Sequence, residues 1–138
     1  MGKIGSYEKT TKENGDEVEK VYTNYGPLSK RKAVRERGGF EDHYTVYEGY
    51  LNPDDTNGKS GYFRIVHRIH YKPDIDMRSN DVYQDYNGYH RDIEGNVETF
   101  MEEHETSYHY GHWGEICKIV NKAIEDAREK DNTESEME

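Results

Sequence analysis

The scarcity of aliphatic side chains is the feature that most limits how this chain can fold. Val, Ile, Leu and Phe supply 21 of its 138 residues, about 15%, and a highly charged chain below roughly 20% is expected to stay unfolded. The 13 Tyr offset this shortage, because a phenol ring buries a large apolar surface while its hydroxyl stays hydrogen-bonded. The sequence therefore predicts a folded chain with a thin, tyrosine-rich core.

Length and composition predict the domain organisation. A chain of 138 residues is expected to form one hydrophobic core, which we assign to a single domain over 1–130. Residues 131–138 hold four acids and no aliphatic residue, a composition typical of a disordered acidic tail. The single Cys, the lack of an apolar run near the N-terminus and the lack of any long apolar segment predict a cytoplasmic protein.

Two hairpins are predicted from alternating patterns. Apolar or aromatic residues occupy the odd positions of 63–71, apart from His67, and this spacing of two is typical of a half-buried strand. Its predicted antiparallel partner is 43–51. A second hairpin is predicted over 6–23, because Asn14-Gly15 accepts the positive φ angles of a tight turn.

The clearest helix is C-terminal. One apolar face is formed by residues with helical spacing, which are Ile116, Ile119, Val120, Ala123, Ile124 and Ala127. The predicted fold class is therefore α+β, with an antiparallel sheet of four to six strands and this amphipathic helix packed on it.

Three further segments are predicted less directly. The basic stretch 29–37 is expected to be a short helix or a loop, with Ser29 as its N-cap and Gly38 ending it. Residues 97–104 fit either a strand or a helix, since their periodicity does not decide between the two, and of these we expect a strand of a meander. Asn87-Gly88 is a turn signal within 74–92, whose conformation the pattern does not determine.

Charge restricts the classes of partner. The net charge is −10, and the segment 28–39 carries +4 of its own, so the remainder carries −14. Such a surface repels nucleic acid and anionic membranes and attracts basic protein surfaces. We therefore expect no direct nucleic-acid or membrane binding.

The combination of many Tyr with many carboxylates predicts a non-catalytic binding protein without cofactor or metal. Tyr is enriched at protein interfaces, and spaced carboxylates imitate nucleic-acid phosphates. We expect an inhibitor or adaptor that occupies the basic surface of a nuclease or nucleic-acid-guided effector, as an anti-defence protein of a phage or mobile element would. The expected contacts are Asp81, Tyr83, Asp85, Tyr86, Glu102, Glu103, Glu105 and Tyr108. The competing interpretation is that Tyr fills the core and the acids only maintain solubility.

Two alternative functions stay open. A small nucleotide-binding or sequestering module would use Arg31 and Arg35, with Tyr25 or Phe40 stacking on a base; the same cations would otherwise neutralise acids within the fold. A metal-dependent hydrolase would use some of the seven His residues, although their spacing does not define a ligand set.

Cys117 has two interpretations of its own. As a nucleophile it would be activated by the start of the last helix, with His109 and His112 close in sequence. Otherwise it packs as a small hydrophobic residue.

Overall fold

The computed structural model describes residues 5–51, 61–71, 83–93, 95–105 and 113–136. These residues contain six strands and two helices: β1 (Tyr7–Thr11), β2 (Glu17–Tyr22), β3 (Pro27–Arg37), β4 (Phe40–Leu51), β5 (Gly61–Tyr71), β6 (Tyr83–Arg91), α1 (Asn96–Glu103) and α2 (Trp113–Glu136). The strands form one antiparallel sheet in the order of the chain. The predicted α+β class, with its antiparallel sheet and C-terminal helix, is confirmed.

Both predicted hairpins are present. β1 pairs with β2 around a turn in which Gly15 has φ 91° and Asn14 Oδ1 accepts the backbone N–H of Asp16 at 3.0 Å. β4 pairs with β5 along eleven residue pairs, from Glu41 opposite Tyr71 to Leu51 opposite Gly61. The alternating pattern of 63–71 therefore identified both the strand and its partner.

One face of the sheet, which we call the helix face, carries the hydrophobic core. Side chains alternate between faces along each strand, and the pairing register places a row of buried residues on this face, namely Val21, Leu28, Tyr47, Phe63 and Ile65. The other face, the open face, carries the alternate residues of each strand. Both helices contact the helix face.

α2 crosses the helix face from β6 to β2. Its first residue, Trp113, contacts the ring of His90 on β6, Asn121 donates to the Tyr47 hydroxyl on β4 at 3.2 Å, and Arg128 binds Glu19 on β2. The apolar face predicted from spacing is buried: Ile116, Val120, Ile124 and Ala127 are at most 7% exposed. The predicted helix and its packing on the sheet are confirmed.

α1 covers the end of the sheet where β4 stops and β5 starts. Asn96 donates to the carbonyl of Leu51 at 3.0 Å, and Phe100 lies 6.3 Å from Phe63 and 5.4 Å from Tyr25, measured between ring centroids. The prediction of a strand over 97–104 is therefore wrong. Helical spacing buries Val97, Phe100 and Met101 together, whereas a strand would turn Val97 and Phe100 to opposite faces.

The prediction of a helix or loop over 29–37 is also wrong, because this segment belongs to β3. Gly38 and Gly39 have φ 60° and 84°, as a two-residue hairpin turn of type I′ requires, and they join β3 directly to β4, with Arg37 opposite Phe40. The ten residue pairs between β3 and β4 outweigh the helical preference that Ser29 and Gly38 suggested.

Asn87-Gly88 forms no turn but lies inside β6. A Cβ atom on Gly88 would come within 2.9 Å of the Arg64 carbonyl oxygen, so glycine here permits close approach of two strands rather than a reversal of the chain. At the other end of the chain, α2 continues to Glu136 and thus includes most of the segment 131–138 for which composition predicted disorder. Added residues extend an established helix at low cost.

The described tyrosines occupy the core less than predicted. Tyr47 belongs to the buried cluster, and Tyr7 and Tyr25 pack against its edge. Most of the others lie on the open face, which the strand register assigns to Tyr22, Tyr44, Tyr50, Tyr62 and Tyr89. Within the described residues, the core cluster consists mainly of aliphatic, Phe and Met side chains.

Candidate functional site

The C-terminal end of α1 presents a group of carboxylates. Glu102, Glu103 and Glu105 are all exposed, and the last turn of α1 contains no basic residue. The end of a helix is its negative pole, where cations are favourable and carboxylates are not. The local sequence therefore concentrates negative charge at the position where a helix tolerates it least.

This acidic end borders a groove between α2 and the two residues that follow α1, which we call the α1–α2 groove. Its volume is about 520 Å³, and its lining residues are His104, Glu105, Glu115, Lys118, Ile119, Lys122, Ala123 and Asp126. Ile119 and Ala123 are half-buried and form an apolar floor. The two lysines are held by neighbouring acids on the same helix, with Lys118 3.5 Å from Glu115 and Lys122 3.4 Å from Asp126. The groove thus combines an apolar floor with a charged rim.

The structure unites only part of the predicted partner-binding set. Glu102, Glu103 and Glu105 lie together at the end of α1, and Glu103 accepts the hydroxyl of Tyr25. Tyr86 lies apart from them on β6, where its ring is 45% exposed and stacks 4.4 Å from that of His67. Tyr83 and Asp85 are residues of β6, and Asp81 and Tyr108 lie outside the described residues.

The four residues of the nucleotide alternative do not form one site. Arg31 and Arg35 share the open face of β3, but Tyr25 packs against Phe100 on the opposite side of the sheet. Phe40 stacks on His70 at 4.8 Å. Arg35 is bound to Asp16 through two hydrogen bonds of 3.0 and 2.9 Å, and these lower the pKa of the Asp16 carboxyl.

A group of aromatic residues on the open face was missed by sequence reasoning. The ring of Tyr62 lies 4.7 Å from that of Tyr50 and 5.7 Å from that of Tyr89, and its hydroxyl donates to Glu48. Burial and this hydrogen bond raise the pKa of Tyr62. The three tyrosines come from β4, β5 and β6, so they meet only because of the register between these strands. The register between β4 and β5 places Tyr50 opposite Tyr62, and a register derived from the sequence would have been the signal for this pair.

The His residues form no metal site within the part of the chain that the structure describes, where no three His, Cys, Asp or Glu side chains converge. His43, His67 and His70 lie on β4 and β5, His90 on β6 and His104 directly after α1. His109 and His112 lie outside the described residues. The described His residues therefore give the hydrolase alternative no support.

Cys117 is buried in the core at 4% exposure, and this burial raises the pKa of its thiol to about 12. Both facts favour the hydrophobic interpretation over the nucleophilic one, because the thiolate is the reactive form.

We expect the Cys117 thiol to be protected from alkylation in the folded protein. At pH 8, iodoacetamide should react with the native chain on the order of a thousandfold more slowly than with the chain unfolded in guanidinium chloride, given the fraction of thiolate at each pKa. Mass spectrometry of timed samples measures both rates, and C117S serves as the unlabelled control. Native and unfolded rates within tenfold of each other would contradict the burial.

Comparison of the chain with family models, with curated proteins and with solved structures finds no match.

Neither helix in the described residues is both long and apolar enough to cross a membrane.

Proposed function

We propose that this chain is a non-catalytic acidic binding protein, an inhibitor or adaptor that covers a basic, nucleic-acid-binding surface of a partner protein. The contact surface is the acidic end of α1 together with the α1–α2 groove. A nuclease or a nucleic-acid-guided effector is the kind of partner that such a surface fits.

The observation that carries the proposal is the negative charge at the C-terminal end of α1, which no basic residue in the last turn of the helix offsets. Three exposed carboxylates fall within the four positions 102–105 without a cation in the last turn, and each is opposed by the helix dipole by roughly 0.3 to 1 kcal/mol. Glu105 also adopts φ 59°, a left-handed conformation for which glycine is usual directly after a helix. Departures from the usual preferences for charge and backbone conformation at a helix end occur most often at functional sites. A cationic partner would relieve the repulsion between these carboxylates and the negative pole of α1.

The α1–α2 groove can accommodate a Lys or Arg side chain of a basic partner. Lys and Arg side chains lay their alkyl stems on apolar surfaces and keep their charged ends on polar ones. The floor of Ile119 and Ala123 suits such a stem, and Glu105 on the rim suits the charged end. A partner side chain can therefore gain apolar contact and charge pairing in the same place.

Charge in the C-terminal part of the chain supports fast association. Residues 96–136 contain eleven carboxylates against four Lys and Arg, so this segment carries most of the net negative charge. A coherent field of one sign steers a basic partner and raises its association rate.

We expect the triple variant E102Q/E103Q/E105Q to lose inhibition. The matched control is E8Q/E13Q/E36Q, which removes three exposed carboxylates from β1, the first hairpin turn and β3. Each protein is titrated into a panel of purified nucleases and guide-loaded effectors holding a fluorescent DNA, and release of the DNA is measured by anisotropy. The α1 variant should need at least about tenfold more protein for half-release, since interface charges are worth roughly 1 kcal/mol or more each.

Two outcomes would contradict the proposal. Equal losses in the α1 variant and its control would mean that total charge matters and α1 does not. Failure of the wild-type protein to release DNA from any panel member would remove the inhibitory role.

A further inference from the structure

The open face has the opposite charge balance from the rest of the molecule. The strand register and the Arg35–Asp16 pair place six cations there, Lys20, Arg31, Arg35, Arg64, Arg68 and Arg91, against four carboxylates, Glu8, Asp16, Asp42 and Glu48, among the side chains described on this face. A chain with a net charge of −10 therefore turns one locally cationic surface to its surroundings. Both described helices pack on the other side.

Several of these cations have no partner in the described part of the protein. No hydrogen bond or ion pair within the described residues engages Arg64 or Arg91, although Arg64 is paired in register with Glu48. The Nε atom of Arg31 is buried without a hydrogen-bond partner. Because that atom is buried, an external anion cannot reach it, whereas Arg64 is half-buried and Arg91 is exposed, so the guanidinium groups of these two residues are available to an anion.

The unpaired arginines flank an aromatic surface, which we call the tyrosine platform: Tyr50, Tyr62 and Tyr89 with Arg64 and Arg91. Tyr50 and Tyr89 are 48% and 54% exposed, and Tyr62 between them is 9% exposed. Arg64 lies directly opposite Tyr89 in the β5–β6 ladder, and Arg91 lies opposite Tyr62, positions whose Cβ atoms are about 5 Å apart. In the tyrosine platform, each of these two arginines therefore lies beside a tyrosine ring of the neighbouring strand.

We propose that the tyrosine platform binds single-stranded nucleic acid. Unstacked bases would stack on Tyr50 and Tyr89, as bases do on aromatic side chains of open sheets, and the adjoining phosphates would lie against Arg64 and Arg91. A duplex keeps its bases stacked on each other and cannot use the rings in this way.

Rings and arginines are also common in protein interfaces. Here, the unpaired cations beside the exposed rings favour a polyanion that carries flat groups.

The overall negative charge does not prevent this contact. The acids of α1 and α2 lie behind the sheet, and a layer packed on a sheet is about 10 Å away, whereas charges in water are screened over about 8 Å at physiological salt. The charge of the whole chain, from which we expected no direct nucleic-acid binding, is thus a poor guide to this face. The inference does not rest on the proposed function, although an adaptor with both surfaces would suit a nucleoprotein partner.

The test measures fluorescence anisotropy of labelled twelve-nucleotide oligo-U and oligo-dT, and of a twelve-base-pair duplex, in 0.15 M salt. The wild-type protein should bind a single strand at least tenfold more tightly than the duplex. Y50A/Y89A should weaken this binding by about tenfold or more, and R64Q/R91Q should weaken it as well. Y50F/Y89F should bind as the wild type does, because the rings remain.

The matched control is Y86A, which removes a tyrosine of similar exposure, 45%, from the helix face. Circular dichroism confirms the fold of each variant. The proposal is overturned if no strand binds at 100 µM protein, if the duplex binds equally well, or if Y86A weakens binding as much as Y50A/Y89A. Loss of partner-protein binding in Y50A/Y89A, with no oligonucleotide bound by the wild type, would identify the platform as a protein interface instead.

Discussion

Replacing Gly26 by Ala is expected to destabilise the fold by about 3 kcal/mol or more. Gly26 has φ 145°, and a Cβ atom there would lie 2.2 Å from the backbone oxygen of Tyr50. No side-chain rearrangement relieves this contact, because the obstructing atom belongs to the backbone of β4. The connection between β2 and β3 would have to move, together with the hydrogen bonds that join Thr23 to Gly26 at 3.0 and 3.1 Å.

Gly38→Ala is the matched control for this effect. Gly38 also has positive φ, at 60°, but nothing lies within 4 Å of its added Cβ, so only backbone strain of roughly 1 to 2 kcal/mol is expected. Urea unfolding followed by circular dichroism gives both free energies of unfolding. Similar losses in the two variants would show that the Tyr50 contact contributes nothing beyond strain.

Replacing Arg128 by Ala is expected to destabilise the fold by about 2 to 3 kcal/mol. Arg128 donates to Glu19 through Nε at 3.1 Å and through a second guanidinium nitrogen, and Tyr7 donates to the same carboxylate at 2.8 Å. The Glu19 side chain is 7% exposed, whereas that of Arg128 is 44% exposed. The variant therefore leaves a buried carboxylate with Tyr7 as its remaining described hydrogen-bond donor, and this cost exceeds the loss of a surface ion pair.

The double variant E19Q/R128A is the control. Without the charge on residue 19, loss of Arg128 should cost less, so the two single effects should not add. Additive effects in urea unfolding would show that the pair is not coupled.

The same pair predicts a dependence on pH. Burial acts to raise the pKa of Glu19, but hydrogen bonds from Arg128 and Tyr7 outweigh it and lower that pKa below its ordinary value. A lowered carboxyl pKa stabilises the fold above the pKa of the unfolded chain, about 4.3, and this contribution is lost as pH falls through the folded pKa. The difference between wild type and R128A should thus be largest near pH 7 and shrink below about pH 4.

The fold was predictable where one pattern dominated. The alternation in 63–71, interrupted at His67, and the helical spacing from Ile116 to Ala127 each bury one face, and tertiary packing agrees with both. The prediction was wrong for 29–37 and 97–104, where two signals competed. Gly38-Gly39 is a hairpin turn as well as a helix end, and Val97, Phe100 and Met101 are buried together only when α1 is helical. Such segments are decided by neighbouring elements that lie far away in the sequence.

The candidate site was predictable to a lesser extent. The carboxylates of 102–105 are adjacent in sequence, so reasoning from charge found them. The α1–α2 groove requires α2 to lie beside the residues that follow α1, and the tyrosine platform requires the register of three strands. Overall charge also concealed that the described side chains of the open face include more cations than carboxylates.

The order of the strands has a consequence for how the protein reaches its native state. Each strand pairs with the strand that precedes it in the chain, so the sheet can form by adding one hairpin after another. Contacts that are local in sequence, as these are, favour rapid folding. The bond between Arg128 and Glu19 spans 109 positions and must wait for α2. During synthesis, therefore, the part of the helix face that α2 covers stays exposed to solvent until this helix has left the ribosome.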